Sequence, residues 1–306
     1  MAGRTARRRI TRIAAPADPP RNGPASNRQA SNGQASNRQA SNGQAAGLSH
    51  RSDLLAVEEP LEIRVNGRPL AVTMRTPGDD IDLAAGFLAS EGVVAGASDI
   101  AEIRICGEAP EPGNVAPGNV AEVRLAVPAG LDDDRLRRNF LTTSACGVCG
   151  KTSIDAIRTR ARHDVAADRV RVRASVLARL PGTLRDAQRI FARTGGLHAA
   201  GLFAADGTLL ALREDVGRHN AVDKVAGWAL REGRLPLSGR VLLVSGRASF
   251  ELVQKALMAG IPVVAAVSAP SSLAAELAEE AGQTLAGFLR GSSMNIYAGA
   301  ERIDPF

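Results

Sequence analysis

The sequence predicts an α/β fold: a core with a partly parallel sheet, preceded by a β-rich N-terminal subdomain. Three features predict it. Apolar strands and amphipathic helices alternate without a break through residues 240–291. Two turn signals, Asn66-Gly67 and Asp206-Gly207, each divide a pair of alternating apolar segments. The composition, 44% hydrophobic and 23% charged over 306 residues, is that of an ordinary globular chain with enough length for a substantial core.

Residues 1–50 are set apart by composition. They hold eight Arg, no Lys and one acid, Asp18, and they include the repeat "ASNRQASNGQASNRQASNGQ". Such a segment has too little apolar surface to offset the entropy of ordering it, so a disordered basic tail is expected. Its charge of +7, against +6 for the whole chain, leaves about −1 on residues 51–306. The high pI therefore belongs to the tail, and the body gives no sign of specific nucleic-acid binding. No run approaches the roughly 18 apolar residues a membrane-spanning helix needs. Paired arginines near the start have no apolar stretch behind them, so a cytoplasmic location is expected.

A subdomain over 51–140 follows. "LEIRVNGRPLAVTMRTP" reads as a hairpin, "DDIDLAAGFLASEG" as a helix that Gly92 ends, and "DIAEIRICG" and "NVAEVRLAVP" as two further strands around a Pro/Gly loop. Cys106, inside the first of those strands, reads as a buried small hydrophobe. The core domain spans 141–306. "SIDAIRTRA" and "GTLRDAQRIFARTGG" look helical, and "LHAAGLFAADGTLLALRED" is a second hairpin. "HNAVDKVAGWALREG" is a helix with Asn220 as expected N-cap. "RVLLVSG", "IPVVAAV" and "QTLAGFLRG" are strands separated by the helices "SFELVQKALMAG" and "SSLAAELAEEAG". This β-α-β-α-β order makes the three strands parallel, with right-handed crossovers.

Parallel strands place all their C-termini on one sheet edge, where open α/β sheets bind ligands. The residues there are Ser245-Gly246-Arg247, Ser268 to Ser272, and Arg290-Gly291-Ser292-Ser293. They are small, hydroxyl-bearing or cationic, and two of the three loops precede helix N-termini, which favour anions. A phosphate- or nucleotide-bearing ligand is expected.

Lysine is rare: 35 of the 38 basic residues are Arg, and the three lysines are Lys151, Lys224 and Lys255. Each lies in a segment with other functional signals, although Lys255 also reads as a solvated helix-face residue.

The remaining motif is "TTSACGVCGKTSI", with Cys146 and Cys149 spaced C-x-x-C. Structural zinc needs four ligands, and neither the third cysteine nor the four histidines supply the spacing, so no metal is expected. A thiol–disulfide oxidoreductase is a second reading, weakened by polar, loop-like flanks. A sulfur carrier fits better. Gly147 and Gly150 leave the thiols mobile, Lys151 and the following helix N-terminus favour a thiolate, and the second thiol can release sulfur held on the first.

That motif, with "REDVGRHNAVDKV", "SGRASFELVQKALMAGIPVVAAVSAPSSLAAELAEEAG" and "GFLRGSSMNIYAGAERI", resembles the FdhD family of formate dehydrogenase accessory sulfurtransferases over about residues 55–305. The resemblance implies a fold similar to cytidine deaminase, without that enzyme's zinc, and a homodimer. It implies that sulfur arrives as a persulfide from a cysteine desulfurase. By the same resemblance, the sulfur would pass to the molybdenum of the bis(molybdopterin guanine dinucleotide) cofactor, bound as a substrate and destined for formate dehydrogenase. By motif, Cys146 would hold the persulfide and Cys149 would assist, while Phe288, Leu289, Arg290, Gly291, Ser292 and Ser293 match the cofactor-binding stretch. In "REDVGRHNAVDK", Arg218 and Lys224 are candidates for the pyrophosphate, His219 for cofactor contact, and Asp215 for reading guanine or orienting His219. Two alternatives remain: a carrier that binds the finished cofactor without sulfur chemistry, and a C-x-x-C dithiol oxidoreductase.

Overall fold

The computed structural model describes residues 3–14, 47–106, 118–126 and 162–305. The chain divides into two compact units, residues 7–54 and residues 1–6 with 55–306. Strands β1 (Thr5–Ala14) and β2 (Gly47–Ala56) pair as a two-stranded ribbon. These parts of the basic tail are therefore strands and not the unstructured chain that composition predicts. Ile10 and Thr11 suit an extended chain, and Thr11 Oγ1 meets His50 Nδ1 at 3.1 Å across the ribbon. The Ser/Asn/Gln repeat itself lies outside the described residues.

In the larger unit the first layer is a four-stranded sheet in the order β4-β3-β6-β5, from β3 (Glu59–Val65), β4 (Arg68–Arg75), β5 (Ile100–Cys106) and β6 (Val120–Leu125). Asn66 and Gly67 turn the first hairpin with φ of 50° and 78°, the left-handed pair that a tight two-residue turn requires. Alternate residues Leu61, Ile63 and Val65 point inward and meet Leu83, Ala84 and Leu88 of helix α1 (Asp80–Ser90). Cys106 is exposed, contrary to expectation. It ends β5, a sheet-edge strand whose last three residues all face solvent.

The second layer is a six-stranded sheet in the order β13-β12-β11-β10-β8-β9. It comprises β8 (His198–Ala204), β9 (Leu209–Asp215), β10 (Arg240–Val244), β11 (Val263–Ala266), β12 (Thr284–Arg290) and β13 (Ser293–Ala298). The expected parallel set is present: Val241 to Val244 align with Val263 to Ala266, and Val263 to Ala265 with Thr284 to Ala286. The β8–β9 hairpin turns at Gly207 as its sequence predicts. One face is covered by α3 (Arg218–Arg231), α4 (Phe250–Met258) and α5 (Ser272–Glu280), through Ala221, Val225, Phe250, Val253, Leu257 and Leu277. The other face is covered by α2 (Ala174–Ala187), which begins eight residues before the expected stretch. Its Leu177, Leu180 and Leu184 recur at helical spacing and are buried. Each such Leu or Val contributes about 1.5–3 kcal/mol. The short strands β7 (Val172–Arg173) and β14 (Ile303–Asp304) pair in parallel.

The layers meet where α1 crosses α3 at Gly86 and Gly227. A Cβ added at Gly227 would lie 1.8 Å from Asp82 O, and one added at Gly86 1.8 Å from Asp223 O. Here two helix backbones touch, which only glycine permits. Flanking this contact, Asp223 takes Lys255 Nζ at 2.8 Å and Ser90 Oγ at 2.7 Å. Lys255 is thus buried and paired, not a solvated face residue. Burial alone would lower its ammonium pKa, but Asp223, with Glu91 and Glu251, raises it.

Candidate functional site at the C-terminal sheet edge

Strand directions build the site. β8 is antiparallel to both β9 and β10, so β9 runs parallel to β10, β11 and β12. Four strands therefore end on one edge, and α3, α4 and α5 open from it. The sequence reading found three of these ends. The fourth adds "DVGRH", so the motif around Arg218 joins the same edge as the serine-rich loops.

Main-chain hydrogen bonds tie the loops together. Ser268 N donates to Gly246 O at 3.3 Å, Ala248 N to Ala269 O at 3.2 Å, Ser271 N to Ala248 O at 3.0 Å, and Phe288 N to Ser268 O at 3.2 Å. Ser245 anchors the first loop to β8: its Oγ accepts from Ala199 N at 2.9 Å, and its own N–H donates to Ala199 O at 2.9 Å. Gly246 stands where a Cβ would lie 3.3 Å from His198 Nδ1 and 3.9 Å from Arg218 Cδ. The small residue lets those two side chains close on the loop.

The helix N-termini differ. Ser271 caps α5, accepting from Ala274 N at 3.2 Å. Gly217 opens α3 without a side-chain cap, and Ser249 opens α4 with its hydroxyl turned away to His219 at 3.1 Å. Both α3 and α4 therefore present first-turn N–H groups and the positive end of the helix dipole without a capping side chain. Arg247 is exposed and makes no ion pair among the described residues. Arg218 has its Nε buried without a hydrogen-bond partner. A half-buried His198 sits beside it. Burial, then the charges of Arg218 and His219, lower its pKa, which favours the neutral ring.

The "FLRGSS" stretch divides. Phe288 is held at φ 52°, a left-handed conformation that costs a bulky residue about 1 kcal/mol or more. Arg290 is exposed and stacks over the Phe288 ring at 5.6 Å. Gly291 and Ser292 are exposed at the turn, and Ser293 Oγ donates to Arg290 O at 3.1 Å. Leu289, expected at the ligand, is 1% exposed and packs in the core under α2. Strand alternation, interrupted by the Phe288 bulge, turns it inward.

Lys224 is also corrected. It is 1% exposed, with Nζ 2.7 Å from Asp215 Oδ2 and 2.9 Å from Thr76 O. An ammonium so enclosed is committed to its carboxylate and faces no ligand. Asp215 neither reads a base nor touches His219. Its Oδ1 accepts from Gly217 N at 2.8 Å and Asn220 Nδ2 at 3.1 Å, and its Oδ2 from Thr76 N at 3.1 Å as well as Lys224. Asn220 is not the N-cap of α3; it lies in the first turn and donates to Met74 O at 2.7 Å. These three residues position the edge. The group on His219 is Glu251, whose Oε2 lies 2.8 Å from Nε2. Sequence reasoning missed Glu251 and His198. Cys146, Cys149 and Lys151 lie outside the described residues.

Fold and edge together define a mixed α/β protein whose parallel strands gather uncapped helix N-termini and cationic side chains along one rim. The chain belongs to the FdhD/NarQ family, whose model matches residues 56–304. It is 62% identical over 257 residues to the sulfur carrier protein FdhD of Streptomyces coelicolor, covering 84% of this chain and 91% of that one. It is 59% identical over 258 residues to the sulfur carrier protein FdhD of Nocardia farcinica, covering 84% and 91%. A crystal structure from Desulfotalea psychrophila, provisionally assigned as a formate dehydrogenase accessory protein, superposes with a TM-score of 0.65 at 26% identity, covering 84% of this chain and 94% of that one. The family match begins beyond residues 7–54.

Proposed function

We propose that this chain is a cytoplasmic sulfur carrier for formate dehydrogenase maturation. It takes sulfur from a cysteine desulfurase onto Cys146 and delivers it to the molybdenum of a bis(molybdopterin guanine dinucleotide) cofactor. Support for sulfur transfer comes from the C-x-x-C motif and from relatives named sulfur carriers. Support for an anionic, nucleotide-bearing substrate comes from the rim. The unpartnered Arg218 Nε, exposed Arg247 and Arg290 and the two uncapped helices fit phosphate oxygens, and the Phe288 ring suits a flat base. The single observation that carries the reading is the convergence of four strand ends with these donors on one edge, within the family's matched span.

The chemistry balances in two steps. The Cys146 thiolate attacks the outer sulfur of a desulfurase persulfide, and the desulfurase thiolate leaves. The Cys149 thiolate then attacks Cys146 Sγ, forming a disulfide and displacing hydrosulfide. The dithiol supplies the two electrons that reduce the sulfane sulfur, and a small dithiol reductant regenerates it. The chain acts as a homodimer in this reading.

The test is direct. The full chain is incubated with a desulfurase and cysteine, and the peptide containing Cys146 is weighed for one added sulfur atom. Cys146→Ala abolishes both the adduct and formate dehydrogenase activation. If Cys146→Ala still activates the enzyme, the chain is a carrier of finished cofactor. If a disulfide turns over with a dithiol reductant and no adduct forms, it is an oxidoreductase.

A further inference from the structure

His219 is the second residue of α3 and leans across to α4, joining the first turns of two helices at the rim. Its Nε2 lies 2.8 Å from Glu251 Oε2 and 3.1 Å from Ser249 Oγ. A ring nitrogen this close to a carboxylate carries the proton, because a lone pair there would face negative charge. The tautomer is thereby assigned from the network: Nε2–H donates to Glu251, and Nδ1 keeps the lone pair. Among the described residues nothing is hydrogen-bonded to Nδ1. The His219 and Glu251 side chains are 26% and 25% exposed, so the ring is oriented yet reachable.

Ser249 adds an independent observation. It occupies the N-cap position of α4, where a serine hydroxyl ordinarily accepts from the helix, yet its hydroxyl sits on His219 instead. A helix cap is forgone to hold an imidazole. The charged and titratable groups near that ring are Glu251 from α4, its chain neighbour Arg218 on α3, and His198 from β8, which is itself flanked by Arg218 and by Asp215 at the end of β9. Asp215 is saturated by its own donors, which leaves Glu251 as the carboxylate that governs His219.

We propose that His219 Nδ1 is the proton acceptor of sulfur delivery at this rim, with Glu251 as the positioning residue that orients the ring and stabilises the imidazolium. The inference rests on the sulfur-transfer reading. When the displaced hydrosulfide bonds through sulfur to its acceptor, in place of a water molecule that the acceptor releases, its proton passes to Nδ1 and from there to solvent. No electrons move in this step. A carboxylate–imidazole pair with one free basic nitrogen is the arrangement such a transfer needs.

The experiment uses the full chain, loaded with sulfur by a desulfurase and cysteine, then mixed with sulfur-free cofactor and apo formate dehydrogenase. Loading is read by peptide mass and delivery by the rate of enzyme activation across pH. His219→Gln should load normally and deliver about 100-fold more slowly. The inflection in its pH–rate profile should vanish, and its deficit should narrow at alkaline pH. Glu251→Gln should load normally, deliver more slowly and keep the inflection, because the ring is present but no longer oriented. An inflection retained in His219→Gln, with delivery lost in both variants only in proportion to binding of guanosine diphosphate as a probe, would mean a structural role and overturn the proposal. The two readings fail separately. Full activity in Cys146→Ala removes sulfur transfer, whereas an inert Cys146→Ala beside a fully active His219→Gln removes only the proton acceptor.

Discussion

Replacing Asp215 by Asn tests whether the rim hangs on a buried charge. Asp215 is fully buried, and its two oxygens take four donors from β4's end, the α3 entry and Lys224. Asn keeps one acceptor oxygen but turns an amide N–H₂ toward the Lys224 ammonium and the Thr76 N–H. Lys224 is then a buried cation with a single remaining acceptor, Thr76 O at 2.9 Å. Removing one partner of such a pair costs about 3–5 kcal/mol, a fifth or more of the roughly 5–15 kcal/mol that holds a domain folded. In urea the unfolding midpoint should fall by more than about 1 M for a slope of about 2–3 kcal/mol/M. The double variant Asp215→Asn with Lys224→Met should recover much of the loss, since the stranded charge is gone. Equilibrium urea unfolding of the full chain, followed by far-UV circular dichroism, reads both. A midpoint within about 0.3 M of the parent, or a double variant no better than the single, would refute the reasoning.

Other outcomes follow from the same structure. Gly227→Ala should destabilise by about 1–3 kcal/mol or more despite its better helix propensity, because the new Cβ meets Asp82 O at 1.8 Å and the helices must part. Gly182→Ala in α2, with nothing within 4 Å of the added carbon, should instead stabilise by about 0.5–1 kcal/mol in the same unfolding assay. Acid should weaken the protein through His198 and His163. Burial first, then neighbouring positive charge, lowers both below 6.5, so the unfolded chain binds more protons as pH falls through that value. Their stability contribution is full above about pH 6.5 and lost below it. Urea midpoints between about pH 5 and 6.5 should therefore slope less in the His198→Gln, His163→Gln double variant.

The fold was legible where local chemistry and tertiary context agree. Asn66-Gly67 and Asp206-Gly207 turn as read, and the strand–helix alternation from residue 240 gives the parallel set. Errors arose where a residue's environment is set by chain far away in sequence. Lys224 reads as a ligand cation because its partner Thr76 lies 148 residues off. Leu289 looked like part of a binding motif, but a bulge at Phe288 decides which way it faces. Cys106 sits on an edge strand, which periodicity cannot reveal. Glu251 was invisible because nothing in "SFELVQ" announces a partner 32 residues earlier in another helix. The scarcity of lysine did carry a signal. Lys224 and Lys255 both prove to be enclosed beside a carboxylate, where a compact ammonium fits and a guanidinium fork does not.

The bare crossing of α1 and α3 has a mechanical consequence. With main chain against main chain, no rotamer can change and no methyl can shift to absorb a load. A push on the four-stranded layer is passed undamped into α3, whose first turn carries Arg218 and His219. The donor and acceptor faces of a relay built on this frame would feel each other without any hinge between them.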